Sequence, residues 1–178
     1  LAASFWEVFQ LTDKALIRPL EEADFADIFE IFQAVLAPGD VFPYPESTTL
    51  EQFKEIWTPP GSFSYVALCD GELRGKIGGA YYVKPQWPGR GSHVATATYM
   101  VAPWARGRGI GLELGQHSLG TARACGYRAM QFNLVISTNK PAVALWQKIG
   151  FKIVGTVPQA FDHANLGPVD TYLMHRLL

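Results

Sequence analysis

The stretch Val101-Ala102-Pro103-Trp104-Ala105-Arg106-Gly107-Arg108-Gly109-Ile110-Gly111 decides how the rest of the chain is read. Before it, the Val-, Thr- and Tyr-rich run Val94–Val101 predicts a strand; after it, a helix is expected to end near Cys125-Gly126. A strand, a glycine-rich turn and a helix start together make an anion site. Glycines let backbone approach a phosphate, and the free N–H groups of the first helical turn point at it. A helix start that merely needs tight turns is the plainer alternative. Spacing excludes two other phosphate motifs. A P-loop needs Lys-Ser/Thr after its last glycine, and none follows here. The dinucleotide fingerprint Gly-x-Gly-x-x-Gly also fails, because Gly107-x-Gly109 reaches Leu112 and Gly109-x-Gly111 reaches Leu114.

Upstream, Ala15–Leu20 predicts a short strand. Phe25, Ile28, Phe29, Phe32 and Val35 recur at helical spacing. Residues 36–47 form a loop punctuated by Pro38-Gly39-Asp40 and Pro43-Tyr44-Pro45. Thr48 with Glu51 three positions on predicts a capping box opening a helix to about Trp57. Ser64–Cys69 and Leu73–Val83 predict a hairpin turned at Asp70-Gly71. In the second of these, Gly75, Gly78 and Gly79 suggest a bulge or a close approach. Downstream, Ala129–Ile136 predicts a strand. Asn139 is a candidate N-cap with Pro141 near the helix start; Ala142, Leu145, Trp146 and Ile149 mark one face, and Gly150 ends the helix. Lys152–Val157 and Thr171–Leu177 predict the last strands. The order βααβββαβαββ describes one α/β (α+β) domain over 15–178 with an N-terminal extension over 1–14.

Composition narrows the function classes. The chain has 178 residues, 48% hydrophobic and 17% charged, with a net charge of −1. That balance excludes a disordered chain and argues against a nucleic-acid binder. Charge is uneven: residues 1–60 carry eleven acids and three bases, and residues 101–152 seven bases and one acid. A basic C-terminal half suits an anionic ligand. Cys69 and Cys125 are expected to be buried free thiols, and the four histidines have no metal-ligand spacing, so no metal is expected. No apolar run approaches the length of a membrane span, and the N-terminus lacks the basic start of a signal peptide. The expectation is a cytoplasmic protein with no membrane or nucleic-acid partner, in which low charge and high aromatic content allow a homodimer.

Arg106, Gly109 and Gly111, preceded by Val101-Ala102-Pro103, resemble motif A of the GCN5-related N-acetyltransferases (GNAT), the superfamily in which this turn grips the pyrophosphate of acetyl-CoA. A second match follows in order: Asn139, Ala142, Leu145-Trp146, Lys148 and Gly150-Phe151 resemble motif B. The resemblance implies a GNAT fold, a mixed sheet of about seven strands flanked by about four helices. Gly91-Ser92-His93-Val94, Tyr99-Met100-Val101, and Phe132-Asn133-Leu134-Val135 with Thr138-Asn139 are similar, more narrowly, to the bacterial and fungal branch that includes azetidine-2-carboxylate (proline-analogue) N-acetyltransferases. Asn133 matches one Asn which that branch places at its substrate; the other position is Thr96 here.

The resemblance also implies roles. Backbone N–H groups of Arg106, Gly107, Arg108, Gly109, Ile110 and Gly111 would bind pyrophosphate, with Arg108 or Lys140 meeting phosphate. Tyr99, Met100 and Val101 would pair with pantetheine, one N–H polarising the thioester carbonyl, while Asn139 would bond the same arm and Trp146 would pack beside it. The loop holding Phe42, Tyr44 and Glu46 would cover the acceptor, with Glu46 or Asp40 attracting its charge. Direct transfer requires an amine to lose its proton and a sulfur to gain one. Many relatives use a Glu on the fourth strand and a Tyr in motif B. Val94–Val101 has no carboxylate, and Trp146 stands in the Tyr position. Proton removal is therefore assigned to water ordered by Asn133, Thr96 or Thr98, or the substrate arrives neutral, with Tyr99 as a candidate donor and His93 more plainly a surface histidine. The expected reaction is acetyl transfer from acetyl-CoA to the amine of a small molecule or amino acid. The alternatives are a non-catalytic acyl-CoA-binding module and a protein or peptide N-acetyltransferase; a closed pocket under residues 37–48 would oppose the last.

Overall fold

The computed structural model describes residues 15–178 and arranges them as one α+β domain. Seven strands and four helices follow in the expected order: β1 Leu16–Pro19, α1 Phe25–Leu36, α2 Leu50–Trp57, β2 Phe63–Leu68, β3 Ile77–Pro85, β4 Val94–Val101, α3 Ile110–Ala124, β5 Ala129–Ile136, α4 Lys140–Lys148, β6 Lys152–His163 and β7 Gly167–Leu177. They form one sheet in the order β1-β2-β3-β4-β5-β7-β6. The extension over 1–14 lies outside the described residues.

Two adjacent tyrosines of β3 show how the layers stack, since neighbouring side chains on a strand point to opposite faces. Tyr81 meets His117 of α3, and Tyr82 meets Trp57 of α2 edge-on. Helices therefore cover both faces of the central strands. On the α1/α2 face, Ile28, Phe32, Phe53 and Trp57 are fully buried. On the other face α3 presses close. A Cβ on Gly78 would sit 2.6 Å from Ile110 Cδ1, and one on Gly79 would sit 3.0 Å from Leu114 Cδ1. This is the close approach expected of those glycines.

β4 and β5 are the one parallel pair in the sheet, and their register holds only at Val94↔Ala129 and Ala95↔Met130. Both strands continue to Val101 and Ile136. Beyond two pairs they diverge, and a wedge opens in the middle of the sheet. On its other side β4 is paired with β3 along its length. Gln86 N–H donates to the Val94 carbonyl and Ala102 N–H to the Gly78 carbonyl, at 2.8 and 2.9 Å. Antiparallel partners alternate in direction, so the even-numbered residues of β4 bond to β3. The backbone groups of Tyr99 and Val101 consequently face the wedge.

Several sequence expectations change. The capping box is Thr49 with Gln52, one residue on: Gln52 N–H donates to Thr49 Oγ1, and Thr49 N–H to Gln52 Oε1. Thr48 instead donates its hydroxyl to the Pro45 carbonyl. The β2–β3 connection is no tight hairpin, because Gly71–Leu73 winds one 3₁₀ turn and β3 starts only at Ile77. The last two strands are longer than expected, continuing past a register shift between Val157 and Phe161. Cys69 is buried as expected, but Cys125 is exposed, at the C-cap of α3.

Candidate active site

The turn Arg106–Gly109 has the conformation its glycines permit. Gly107 and Gly109 take φ of +78° and +82°, where a side chain is strained, and a Cβ on either would project into open space. Gly109 is the N-cap of α3 and carries no side chain to satisfy the first turn. Among the described residues, none accepts a hydrogen bond from the backbone N–H of Gly107, Arg108, Gly109, Ile110 or Gly111. Five orphan donors at a helix start are a fixed positive field. The Ile110 side chain turns into the core and anchors the turn, while Arg108 is exposed.

Beside this turn runs a cleft of about 670 Å³, lined by Met100, Val101, Arg106, Gly107, Gly111, Asn139, Leu145 and Trp146. Asn139 caps α4, its Oδ1 accepting from Ala142 N–H at 3.2 Å. A second cavity, of about 290 Å³, lies in the wedge and contains Phe42, Tyr44, Thr96, Thr98, Phe132 and Asn133. The two share Val41, Phe42, Tyr99, Asn139, Ala142 and Trp146, so they join at the point where β4 and β5 part. The candidate catalytic residues Asn133, Thr96 and Tyr99 all line the smaller cavity, as do Phe42, Tyr44 and Thr98. Lys140 and Glu46 are exposed and line neither. His93 is exposed at the start of β4, its Nδ1 bonded to the Arg90 carbonyl, outside both cavities.

The wedge has an aromatic floor. Tyr99 packs on Trp146 with ring centroids 4.6 Å apart, and Phe132 packs on Trp146 at 4.8 Å. The Tyr99 phenol points away, into α3. Ser118 Oγ donates to the Gly115 carbonyl at 2.7 Å, so it accepts the Tyr99 hydroxyl, also at 2.7 Å. Burial pushes this phenol's pKa well above its ordinary value, against a smaller opposing effect of Ser118. At the wedge's outer side, Thr98 faces Tyr82 across β4 and β3. Burial lifts the Tyr44 phenol to about 12, with the neighbouring Tyr82 phenol adding to the shift. Burial raises Tyr82 too, opposed by Thr98 and Tyr44. Asn133 sits where β5 breaks register with β7, between Phe132 and Val135, and its Oδ1 accepts from Gln131 Nε2 at 2.8 Å.

Two features were not expected from sequence. Ala164 N–H donates to the Gly39 carbonyl at 3.0 Å, and a Cβ on Gly39 would lie 2.7 Å from Ala164 Cβ. The β6–β7 hairpin thus holds the α1–α2 loop over the cleft. Through the same hairpin His163 joins Asp40 in lining the larger cavity, its Nδ1 accepting from Asn165 N–H at 3.2 Å. Nothing local in the sequence marks His163, because only the length of β6 brings it there.

Comparison with known proteins places this geometry. The acetyltransferase (GNAT) family model matches residues 25–151. The chain is similar to a GCN5-related N-acetyltransferase from Kribbella flavida, with 41% identity and a TM-score of 0.87 over 93% of this chain and 98% of that one. It is also similar to a GNAT superfamily phosphinothricin acetyltransferase from Sinorhizobium meliloti in complex with AcCoA, with 26% identity and a TM-score of 0.76, covering 93% of this chain and 89% of that one. Among curated proteins it is 36% identical over 96 residues to N-acetyltransferase aca1 of Schizosaccharomyces pombe, covering 53% of this chain and 46% of that protein. The chain spans less than half the length of the curated relatives it matches.

Proposed function

The chain belongs to the acetyltransferase (GNAT) family, and from that premise we propose that it transfers the acetyl group of acetyl-CoA to the amine of a small molecule. The observation that carries this reading is the junction of the two cavities at the open edge of β4. The residues present fit the donor. A diphosphate suits the five N–H groups left unpartnered among the described residues, on a turn whose glycines leave open space. A pantetheine arm, which carries amides, suits the Tyr99 and Val101 backbone that faces the wedge, with Asn139 and Trp146 opposite.

In this reading, the N–H of Tyr99 or Val101 polarises the thioester carbonyl, an oxyanion role filled by backbone already in place. Trp146 and the Tyr99 ring exclude water from the sulfur side. Thr96, Thr98 and Asn133 hold the amine and the water that takes its proton. Tyr99 contributes its ring, since its hydroxyl hydrogen is committed to Ser118. Asn133 in the acceptor cavity supports the narrower resemblance to the proline-analogue branch; Thr96, in place of that branch's second Asn, makes the amine's identity a matter for assay. A small acceptor is favoured over a peptide because the α1–α2 loop is tied down by Ala164 and the acceptor cavity holds only about 290 Å³. The likeness to acetyltransferases does not favour a non-catalytic acyl-CoA-binding module. Among the described residues, no helix is long and apolar enough to cross a membrane.

The test is a thermal melt with and without acetyl-CoA, followed by thiol release with a panel of amines. At about 100 times its dissociation constant a ligand adds ~2.7 kcal/mol, or roughly 5–10 °C for a chain of this length. Absence of a shift would remove the donor assignment; a shift without thiol release from any amine would leave a binding protein.

A further inference from the structure

The two cavities differ in chemistry as well as in place. Asp40, Arg106 and His163 line the donor cleft and do not line the acceptor cavity. Among the described residues, the polar side chains of the acceptor cavity are all uncharged: the hydroxyls and amides of Tyr44, Thr96, Thr98, Tyr99, Asn133 and Asn139 and the indole of Trp146. Their hydrogen bonds are partly assigned. The Asn133 oxygen is taken by Gln131, which leaves its NH₂ to donate. The Asn139 oxygen is taken by Ala142 N–H. Tyr99 is turned away onto Ser118. Burial keeps the Tyr44 and Tyr82 phenols protonated throughout the working pH range. The polar groups left to meet a ligand are therefore the NH₂ groups of Asn133 and Asn139 and the Thr96 hydroxyl, with the Tyr44 and Thr98 hydroxyls turned to the Tyr82 phenol, between the aromatic walls of Phe42, Phe132 and Trp146.

Two physical consequences follow for the acceptor. A carboxylate brought against these walls meets no cation among the described residues that line them, and an unpaired charge removed from water is strongly disfavoured. A carbonyl oxygen meets N–H and O–H donors suited to it. The second consequence concerns the proton. An amine of pKa ~10.4 is neutral at pH 7 in about one molecule in 2,500, whereas an α-amine beside a carbonyl, with pKa ~7.8, is neutral in about one in seven. Burial between aromatic walls favours the neutral amine over the ammonium, and the less basic the amine, the smaller the cost of shedding its proton on entry.

We propose, resting on the acetyltransferase reading above, that the acceptor is a small, weakly basic amine with an uncharged carbonyl group next to it, of the α-amino amide or ester class, rather than a free amino acid or an alkylamine. In the transfer the neutral nitrogen forms the C–N bond to the acetyl carbon and the C–S bond breaks. The nitrogen gives one proton to water, and the departing sulfur takes one from water, so an amide and a free thiol result.

The experiment measures kcat/KM by thiol release for the full chain with prolinamide and alaninamide, with proline and alanine, and with an α-blocked lysine amide, from about pH 6 to about pH 9. The expected result is that each amide exceeds its free amino acid and the lysine side chain by about tenfold or more. Each profile should also rise to a plateau at the pKa of the amine itself. Equal or better use of the free amino acids overturns the proposal. So does a limb that stays at one pH whichever amine is used, because that limb would report an ionising group of the protein; its loss in His163→Gln would identify the group as the imidazole in the adjoining cleft. If no amine is used while acetyl-CoA still raises the melting temperature, this inference falls and donor binding stands. If acetyl-CoA gives no shift, the donor reading falls as well.

Discussion

Gly109 separates two demands that one glycine meets together: a left-handed backbone and room for an anion. Asn and Asp both tolerate φ near +82° better than other residues, and they differ by one charge. Gly109→Asp should therefore weaken acetyl-CoA binding at least tenfold more than Gly109→Asn, measured by titration calorimetry, with similar melting temperatures for the two free proteins. Equal affinities would detach the turn from phosphate binding. Tyr99 offers a second test at this scale. Its hydroxyl ends on Ser118, so Tyr99→Phe should leave kcat within about tenfold, whereas loss of a proton donor lowers it by ~10²–10⁴. The change should lower stability by about 1 kcal/mol, the usual effect of one lost hydrogen bond.

At the scale of elements, the first turn after β1 depends on a carboxylate. Asp24 is buried, takes both terminal nitrogens of Arg18 at 2.7 Å and accepts from Glu21 N–H at 2.8 Å. The Arg18 guanidinium holds the Asp24 carboxyl below its ordinary pKa, with burial opposing. A carboxyl depressed in the folded state stabilises it above the unfolded pKa, and that stability is lost as pH falls through the folded value. Asp24→Asn should cost about 1–3 kcal/mol near pH 7, by urea melt, and the gap to wild type should shrink below about pH 4. The elements also show what the sequence could and could not reveal. Asn139 with Pro141, Gly150, and the Gly107–Gly109 turn were readable because caps and left-handed turns are set by residues within one turn of each other. The α2 cap was displaced because Thr48 and Thr49 are chemically equivalent locally, and only the Pro45 carbonyl distinguishes them. The length of β6 was missed because Pro158 looks like an end; the structure passes it with Gln159 at positive φ, its N–H donating to the Asp170 carboxylate. The wedge depends on strands whose paired residues lie 35 positions apart and the hairpin over the cleft on a contact 125 apart, and no local pattern encodes either.

For the whole molecule, the bond between Ala164 and Gly39 joins the C-terminal hairpin to the loop above the acceptor cavity. Gly39 sits at φ +63° with its Cβ direction filled by Ala164, so Gly39→Ala should part the two segments. The expected outcome is a fall of about 10–100-fold in kcat/KM for the acceptor, as reacting groups lose alignment. The melting shift produced by acetyl-CoA should be reduced less, because the pyrophosphate turn belongs to neither segment, although Asp40 and His163 wall the same cleft. Complete loss of that shift would mean that donor binding depends on this wall.

The parting of β4 from β5 leaves a sheet with a slot where a strand's partner would be. Deuterium should find that slot. In the free protein the amides of Tyr99 and Val101 are expected to exchange at least ten times faster than those of Thr98 and Met100, which are tied to β3, so that protection alternates residue by residue in the centre of the sheet. With acetyl-CoA bound the alternation should vanish, as the donor's own amides complete the strand.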